Sequence, residues 1–329
     1  MPISRLRLKA GAVFAAAVLL ALAAAMPAAR AAEKAFVAVT AIVEHPALDA
    51  CRKGIRDALA AAGYEDGKNL KFVYESAKGS TDAATAIARK FVRDKASVIV
   101  AISTPSAQAA VAAAAAIPVV FAAVTDPLGA KLVRDMYTPG GNVTGVSDLA
   151  PVKKHIALIH KISPNARTIG ILFNPNEPNS YTLVSLMKST AMGVNMTLVR
   201  APARTAAEVP AAAQGLVGKA DVIFVPTDNT IVAALDAVIK VGLDNRIPVY
   251  AGDVDAVKRG AIAAIGVDYY NLGRQAGNIV VRILAGADPG KIAVAGVEET
   301  NLYVNPGTAA KIGVTIPEDV ISQADEVVK

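Results

Sequence analysis

The sequence predicts an α/β protein of two Rossmann-like lobes, each built on a parallel sheet flanked by helices. Short apolar runs of strand length alternate with segments of helical periodicity along most of the 329 residues. A connector rich in Pro and Gly at residues 138–142 divides this alternation, and a similar order of elements restarts behind it. A chain of this length can also bury two separate cores. One large sheet through the whole chain is the alternative arrangement.

The first series holds four predicted strands and three predicted helices. Each strand is a nearly continuous apolar run, as expected for a sheet that is buried on both faces. Boundary signals support the helices, since Gly63 ends the first, Ser80 or Thr81 caps the second and Pro105 opens the third. The strands are residues 35–43, 70–74, 97–102 and 118–121, and the helices are residues 47–62, 81–95 and 105–116.

The second series repeats this order with five strands and five helices. The strands are residues 168–173, 194–199, 221–225, 247–250 and 261–267. The helices are residues 151–162, 177–192, 205–217, 229–241 and 269–284. Two sheets in series with similar element order predict two similar lobes, and the last strand and helix of this series fit either lobe.

The first 31 residues are predicted to be a cleaved signal peptide. Basic residues Arg5, Arg7 and Lys9 precede an apolar run at residues 10–25, and small residues around Ala31 fit a signal-peptidase site. A transmembrane anchor is the alternative, but the run is short for a bilayer span. We therefore expect export to the periplasm, with cleavage near Ala31.

Charge and cysteine content exclude several classes of protein. The net charge is +6, but the first 31 residues hold four basic residues and no acids, so the remainder carries +2. Its basic residues are scattered, which disfavours a nucleic-acid surface. The single cysteine, Cys51, cannot form an internal disulfide, and it lies too far along the chain to be a lipoprotein anchor.

Polar residues follow the predicted strands at six places, where open parallel sheets bind their ligands. Hydroxyl groups and the N–H groups at helix starts can bind a carboxylate, while Asp228 and Asp253 can bind an ammonium group. Together they suit a zwitterion such as an amino acid. Ordinary helix capping is the alternative for each loop taken alone. The loops are residues 44–46, 103–106, 125–127, 174–180, 226–230 and 252–253.

These loops and the connector resemble those of ABC-transporter substrate-binding proteins of the tryptophan/tyrosine-binding type. The likeness runs in order from about residue 35 to the C-terminus. The stretches that carry it are residues 43–49, 124–127, 139–147, 174–180, 226–230 and 257–261.

The resemblance implies the type I periplasmic binding protein fold, with two lobes that are joined by a hinge of three crossovers and close on a ligand. It places the helix at 269–284 back on the first lobe. We therefore expect lobe 1 to comprise residues 32–147 and about 268–287. Lobe 2 would then comprise about 148–267 and about 288–329.

The resemblance also implies a set of ligand-binding residues. His45 joins the set because it lies in a strand-end loop beside Glu44, where it can pack on or hydrogen-bond a ligand. Gly252 departs from the Ser that is common in the family, which leaves the identity of the ligand open. The residues are Glu44, His45, Ser103, Thr104, Thr125, Asp126, Asn176, Ser180, Asp228 and Asp253.

The sequence favours a binding protein over an enzyme. It contains no G-x-S-x-G elbow, Walker A loop or G-x-G-x-x-G fingerprint, and His155 and His160 are five residues apart, which does not suit a metal pair on one helix face. We expect no catalytic residue, metal or cofactor. The expected partners of this monomer are a small organic ligand and an inner-membrane ABC permease, with no nucleic acid. An exported sensor of the same fold and, further off, an exported two-lobed enzyme are the alternatives.

Overall fold

A computed structural model describes residues 34–149, 151–297 and 299–329. The predicted signal peptide, residues 1–31, lies outside the described residues. The chain from Ala35 to Lys329 forms one compact unit. Within the described part, no helix combines the length and apolar character that a membrane span requires.

The first lobe is a five-stranded sheet in the order β2-β1-β3-β4-β5, in which every pair of neighbours is parallel. Both faces of this sheet are covered, so its central strands β3 and β4 are buried at every residue. The strands are β1 (Ala35–Ala41), β2 (Leu70–Ser76), β3 (Val98–Ile102), β4 (Val119–Val124) and β5 (Val143–Ser147), and the helices are α1 (Pro46–Ala61), α2 (Thr81–Arg93) and α3 (Thr104–Ala113).

The second lobe is a seven-stranded sheet in the order β12-β11-β10-β9-β8-β6-β7. Its strands are β6 (Thr168–Phe173), β7 (Thr197–Pro202), β8 (Val222–Val225), β9 (Val249–Asp253), β10 (Ala263–Val267), β11 (Asn301–Val304) and β12 (Glu326–Val327). The strands pair in parallel except for β10 and β11, which are antiparallel.

Helices cover both faces of the second sheet as well. They are α4 (Val152–Ile162), α5 (Pro178–Met192), α6 (Val209–Gln214), α7 (Asn229–Ala233), α8 (Leu235–Asp244) and α9 (Asp255–Lys258), followed near the C-terminus by α11 (Pro306–Lys311) and α12 (Glu318–Ile321). Short 3-10 turns lie at Ala206–Glu208 and Pro289–Lys291.

The remaining helix, α10 (Tyr269–Leu284), follows β10 of the second sheet but packs on the first lobe. Its apolar face lies against α1 in the same core as β1 and β3. Glycine makes the contact close, because a Cβ atom on Gly273 would overlap the carbonyl oxygen of Cys51 and one on Gly54 would overlap that of Tyr270. The expectation that this helix returns to the first lobe therefore agrees with the packing.

The chain passes between the sheets three times, after β5, after β10 and before β11. Before the third passage it runs along the edge of the first sheet, where the Ala295 N–H donates to Gly145 O and the Ser147 N–H donates to Ala295 O. The lobe boundaries predicted from the sequence, with residues from about 288 in lobe 2, stay a prediction. The hydrogen bonds themselves place residues 290–295 beside β5.

The α/β order expected from the sequence is observed, with local differences. Strand β5 was not expected, and the predicted strand at 194–199 lies later, at Thr197–Pro202, because Asn195 adopts a φ of 58° in the turn that precedes it. The helix predicted at 229–241 is divided at Ala234, which leaves helical geometry with φ −113° and ψ 22°.

Candidate functional site

A cavity lies between the two sheets, at the carboxyl ends of their strands. The space between its lining atoms is about 330 Å³, including its opening to solvent. Both lobes and two of the crossovers contribute to its wall. The lining residues are His45, Ala47, Leu48, Ala123, Thr125, Asp148, Asn179, Thr227, Asp228, Asn229, Val232, Asp253 and Tyr269.

His45 contributes to the wall on the first lobe. It lies between β1 and α1, where its carbonyl oxygen accepts the N–H of Asp49. The side chain is 8% exposed, and its Nδ1 has no hydrogen-bond partner among the described residues. Burial, assisted by the positive charge of Arg259, lowers the pKa of His45 to about 4. The imidazole is therefore neutral at pH 7 and offers the cavity a hydrogen-bonding group without charge.

Asp148 connects the crossovers at the cavity. It follows β5 directly, and its carboxylate accepts hydrogen bonds from Thr125 Oγ1 at 2.9 Å and from Tyr269 Oη at 2.7 Å. Tyr269 is the first residue of α10, so the first and second crossovers are joined through this side chain. Burial raises the pKa of Asp148, although both hydrogen bonds favour the ionised form.

Of the two second-lobe carboxylates in the wall, Asp253 has more unused hydrogen-bonding capacity than Asp228. It ends β9, is 4% exposed, and accepts one hydrogen bond, from the Asp255 N–H to Oδ1 at 2.9 Å. No Lys, Arg or His among the described residues forms an ion pair with it. Burial, followed by the charge of Asp255, raises the pKa of Asp253 to about 7. Such a group gains most from a cation that enters the cavity.

Asp228 is already satisfied by the protein. Its Oδ1 accepts the Ile231 N–H at 3.0 Å and so caps α7, while its Oδ2 accepts the Asn174 N–H and Ser180 Oγ, each at 2.5 Å. Burial, followed by the nearby carboxylate of Glu177, raises the pKa of Asp228 to about 7. Its hydrogen bonds make it a centre that holds β6, α5 and α7 together.

A second group of polar atoms lies behind the first-lobe wall, at the start of α3. Ser103 donates its N–H to Ala122 O, one residue before Ala123 of the cavity, and adopts a φ of 81° that side chains rarely tolerate. The hydroxyl groups of Ser103, Thr104 and Ser106 are buried and have no partner among the described residues. This strained turn holds three hydroxyl groups at the positive end of a helix.

The structure places the predicted site residues in several positions. His45, Thr125, Asp228 and Asp253 line the cavity. Ser180 lies behind Asp228, and Ser103 and Thr104 lie behind the wall as described above. Whether these residues bind a ligand stays a prediction.

The remaining three predicted residues lie away from the cavity wall. Asp126 and Asn176 line a separate opening between the lobes, where Thr182 Oγ1 donates to Asp126 Oδ2 at 3.2 Å. Glu44 is exposed. Asp126 and Thr182 nevertheless form a direct contact between the two lobes.

Sequence reasoning missed five polar residues of the wall: Asp148, Asn179, Thr227, Asn229 and Tyr269. Asn179, Thr227 and Asn229 lie inside the strand-end loops 174–180 and 226–230, from which the resemblance implied only Asn176, Ser180 and Asp228. Asp148 and Tyr269 each follow a strand closely, so the rule of strand ends would have included them once β5 was recognised and β10 was treated as a ligand-facing strand.

The chain matches the sequence profile of the ABC transporter substrate-binding proteins over residues 36–328. It belongs to this family. The family consists of binding proteins rather than enzymes, which confirms that expectation. Similar solved structures have the two mostly parallel α/β lobes of type I periplasmic binding proteins, so the predicted fold is also confirmed.

Three relatives are informative. A tyrosine-binding protein of Clostridioides difficile (strain R20291) is 41% identical over 272 residues, which cover 83% of this chain and 79% of that protein. A structure from Streptococcus pneumonia, an ABC domain in complex with L-Trp, is 34% identical with a TM-score of 0.87 and covers 90% of this chain and 100% of that one.

The third relative is the ligand-free, open structure of a substrate-binding protein with adhesive properties from Clostridium difficile. It is 38% identical to this chain with a TM-score of 0.68, and the match covers 89% of this chain and 99% of that one. Sequence identity is similar for the two structures, yet this chain superposes more closely on the L-Trp complex.

Proposed function

We propose that this protein is the exported solute-binding component of an ABC importer and binds an amino acid, with an aromatic side chain, between its lobes. One observation carries the proposal. The charged groups that line the cavity are carboxylates, those of Asp148, Asp228 and Asp253, and no Lys or Arg is among the described lining residues. Such a cavity favours a ligand with a positive charge, because an unpaired buried carboxylate is costly.

Asp253 is the proposed partner of the ligand's ammonium group. Asp148 has two hydrogen bonds and Asp228 three, whereas Asp253 has one and keeps an oxygen for a ligand. The carboxylate of the ligand would face the first lobe, towards the start of α3, where the positive end of the helix favours an anion. The Thr125 hydroxyl is not a donor to it, because Oγ1 already donates to Asp148.

Two further observations support an aromatic amino acid. The wall includes apolar surface from Ala47, Leu48 and Val232, together with the ring of Tyr269. Relatives that share 41% and 34% of their residues with this chain are a tyrosine-binding protein and a domain in complex with L-Trp. An aromatic ring that packs on such surface buries a large apolar area.

Calorimetric titration of residues 32–329 with L-tyrosine, L-tryptophan, L-phenylalanine, L-leucine and L-aspartate tests the proposal. We expect saturable binding of at least one aromatic amino acid and no binding of L-aspartate, whose second carboxylate would face an acidic wall. Failure of all three aromatic amino acids to bind would refute it.

Export and coupling to a permease are separate parts of the proposal. If the first 31 residues are cleaved, mass spectrometry of protein from the periplasm of the native host should give an N-terminus near Ala32. An intact chain that starts at Met1 and stays in the membrane would contradict export. Loss of labelled amino-acid uptake on deletion of the gene would separate an importer component from a sensor, for which uptake stays unchanged.

A further inference from the structure

Glu177 is a buried carboxylate that sequence reasoning did not single out. Its side chain is 5% exposed, and it forms no ion pair with any described residue. It directly precedes α5, but its side chain does not accept a hydrogen bond from the backbone N–H groups in the first turn of that helix. An acidic group buried in this way is costly unless many donors surround it.

Six hydrogen bonds converge on the two carboxylate oxygens. Glu177 Oε1 accepts from Thr230 N at 3.2 Å, Thr230 Oγ1 at 2.8 Å and Asn174 Nδ2 at 3.4 Å. Glu177 Oε2 accepts from Asn229 N at 3.3 Å, Asn229 Nδ2 at 2.5 Å and Asn179 Nδ2 at 3.2 Å. The Glu177 carboxylate therefore accepts hydrogen bonds from the side-chain amides of Asn179 and Asn229, which both line the cavity.

These bonds fix which way the amide of Asn179 is turned. Its Nδ2 faces two acceptors, Glu177 Oε2 and the backbone oxygen of Thr227 at 3.4 Å, so its Oδ1 cannot take that place. Asn179 Oδ1 is buried and has no partner among the described residues, although the residue lines the cavity. The amide of Asn229 is oriented in the same way, because its Nδ2 also donates to Glu177 Oε2.

We propose that Glu177 is a positioning residue for ligand selection. By binding the N–H groups of Asn179 and Asn229, it makes the second-lobe wall a surface of acceptors, formed by amide oxygens beside the Asp253 carboxylate. The cavity then prefers a ligand that brings an ammonium group to this wall over an analogue without one. The proposal rests on the proposed amino-acid ligand and adds the residue that enforces the amine requirement.

A purely structural role for Glu177 has a different consequence. The same hydrogen bonds also tie the loop before α7 to the start of α5, and loosening that loop would weaken every ligand to a similar extent. Discrimination between an amine and its des-amino analogue separates the two roles, because only the positioning role acts on the ammonium group.

The test compares L-tyrosine with 3-(4-hydroxyphenyl)propanoate, which has no amine, in the wild type and in Glu177→Gln. Gln has one acceptor oxygen in place of two. When its NH2 faces Asn179 and Asn229, one of these amides must turn its own NH2 towards the ligand. We expect the affinity for L-tyrosine to fall about ten-fold or more, while the affinity for the analogue changes less than about three-fold. Equal losses for both ligands would overturn the proposal.

Two variants serve as controls. Asn179→Ala removes the acceptor that Glu177 positions and should reproduce the loss of amine preference even if Glu177→Gln folds poorly. Glu318→Gln, a matched change at an exposed position on α12, should leave both affinities and the melting temperature unchanged. An unchanged amine preference in Asn179→Ala would also overturn the proposal.

Hydrogen exchange of the Asn179 side-chain amide, followed by NMR without ligand, keeps this inference separate from the proposed function. We expect slow exchange in the wild type and faster exchange in Glu177→Gln. Equal exchange rates would refute the positioning role whatever the ligand is. Failure of every amino acid to bind the wild type would instead refute the proposed function.

Discussion

At the scale of the residue, Asp228 and Asp253 are both buried carboxyl groups of the cavity wall, but they differ in the number of hydrogen bonds that they accept. Asp228 accepts three hydrogen bonds from three different elements, and Asp253 accepts one. The sequence suggested both as partners of an ammonium group, with helix capping as the alternative. The structure shows that Asp228 does cap α7, whereas Asp253 keeps its second oxygen for the cavity.

Substitution of each residue by Asn should therefore give different results. In Asp253→Asn we expect binding of the amino acid to weaken by about 2–5 kcal/mol, the usual effect of removing one member of a buried charged pair. In Asp228→Asn we expect mainly a loss of stability, about 1 kcal/mol or more, because a cap is weakened. Calorimetric titration and melting temperatures, measured for both variants, check this. Wild-type affinity in Asp253→Asn would remove that residue from the site.

Binding should also depend on pH near neutrality. The pKa of Asp253 is about 7 in the protein, and an ammonium group beside it would lower this value. Below pH 7 the ligand must displace a proton, so we expect affinity to fall by up to about ten-fold per pH unit as the pH decreases. His45 does not change charge in this range, since its pKa is about 4.

Titrations between pH 5.5 and 8.5, repeated in two buffers of different ionisation enthalpy, measure the released proton directly. The dependence should become much smaller in Asp253→Asn, and what is left is expected from Asp228, whose pKa is also about 7. An affinity that rises on acidification, or a wild-type dependence that persists in this variant, would contradict the assignment to Asp253.

At the scale of the element, α1 and α10 bring the first-lobe cavity residues together. His45 lies directly before α1 and Tyr269 begins α10, and the two helices approach closely at Gly54 and Gly273. In this arrangement the position of Tyr269, and with it the hydrogen bond to Asp148, depends on glycine packing further along the helices.

Substitution of Gly273 by Ala should show this dependence. A Cβ atom there overlaps the Cys51 carbonyl oxygen, so the helices must separate, and we expect a destabilisation of about 1–3 kcal/mol. Gly296→Ala is the matched control, because no atom lies within 4 Å of the added Cβ. Urea unfolding of both variants measures the difference. Equal midpoints for Gly273→Ala and the wild type would show that the helices adjust without cost.

Much of the fold could be predicted because long apolar runs and helix boundary signals are local in sequence. Strand β5 escaped this reasoning, since Val143–Ser147 is short and contains Gly145, which is needed where a Cβ atom would overlap Phe121 O. Asp148 was missed for the same reason, because it directly follows β5. The orientation of Asn179 also could not be predicted, because its partners, Glu177 and Thr227, meet only through the tertiary packing of α5 and α7.

At the scale of the whole molecule, the chain crosses between the lobes three times, and the cavity draws on both sides of that hinge. At the separate opening between the lobes, Thr182 of the second lobe donates a hydrogen bond to Asp126 of the first. The chain superposes more closely on an L-Trp complex than on an open, ligand-free structure, and hinge closure on a ligand stays a prediction. A ligand that contacts both lobes binds the closed arrangement more tightly and shifts the population towards it.

Small-angle scattering should therefore give a smaller radius of gyration when the protein is saturated with its amino acid. The contraction has a physical origin in the burial of the ligand's ammonium group at Asp253 on one lobe and of its other end on the opposite lobe, since neither contact is complete while the cleft is open. Asp253→Asn, measured at the ligand concentration that saturates the wild type, should contract less because fewer molecules are bound. Identical scattering curves for free and saturated wild-type protein would mean that the lobes do not move on binding, and the ligand would then have to enter and leave a cleft whose shape stays constant.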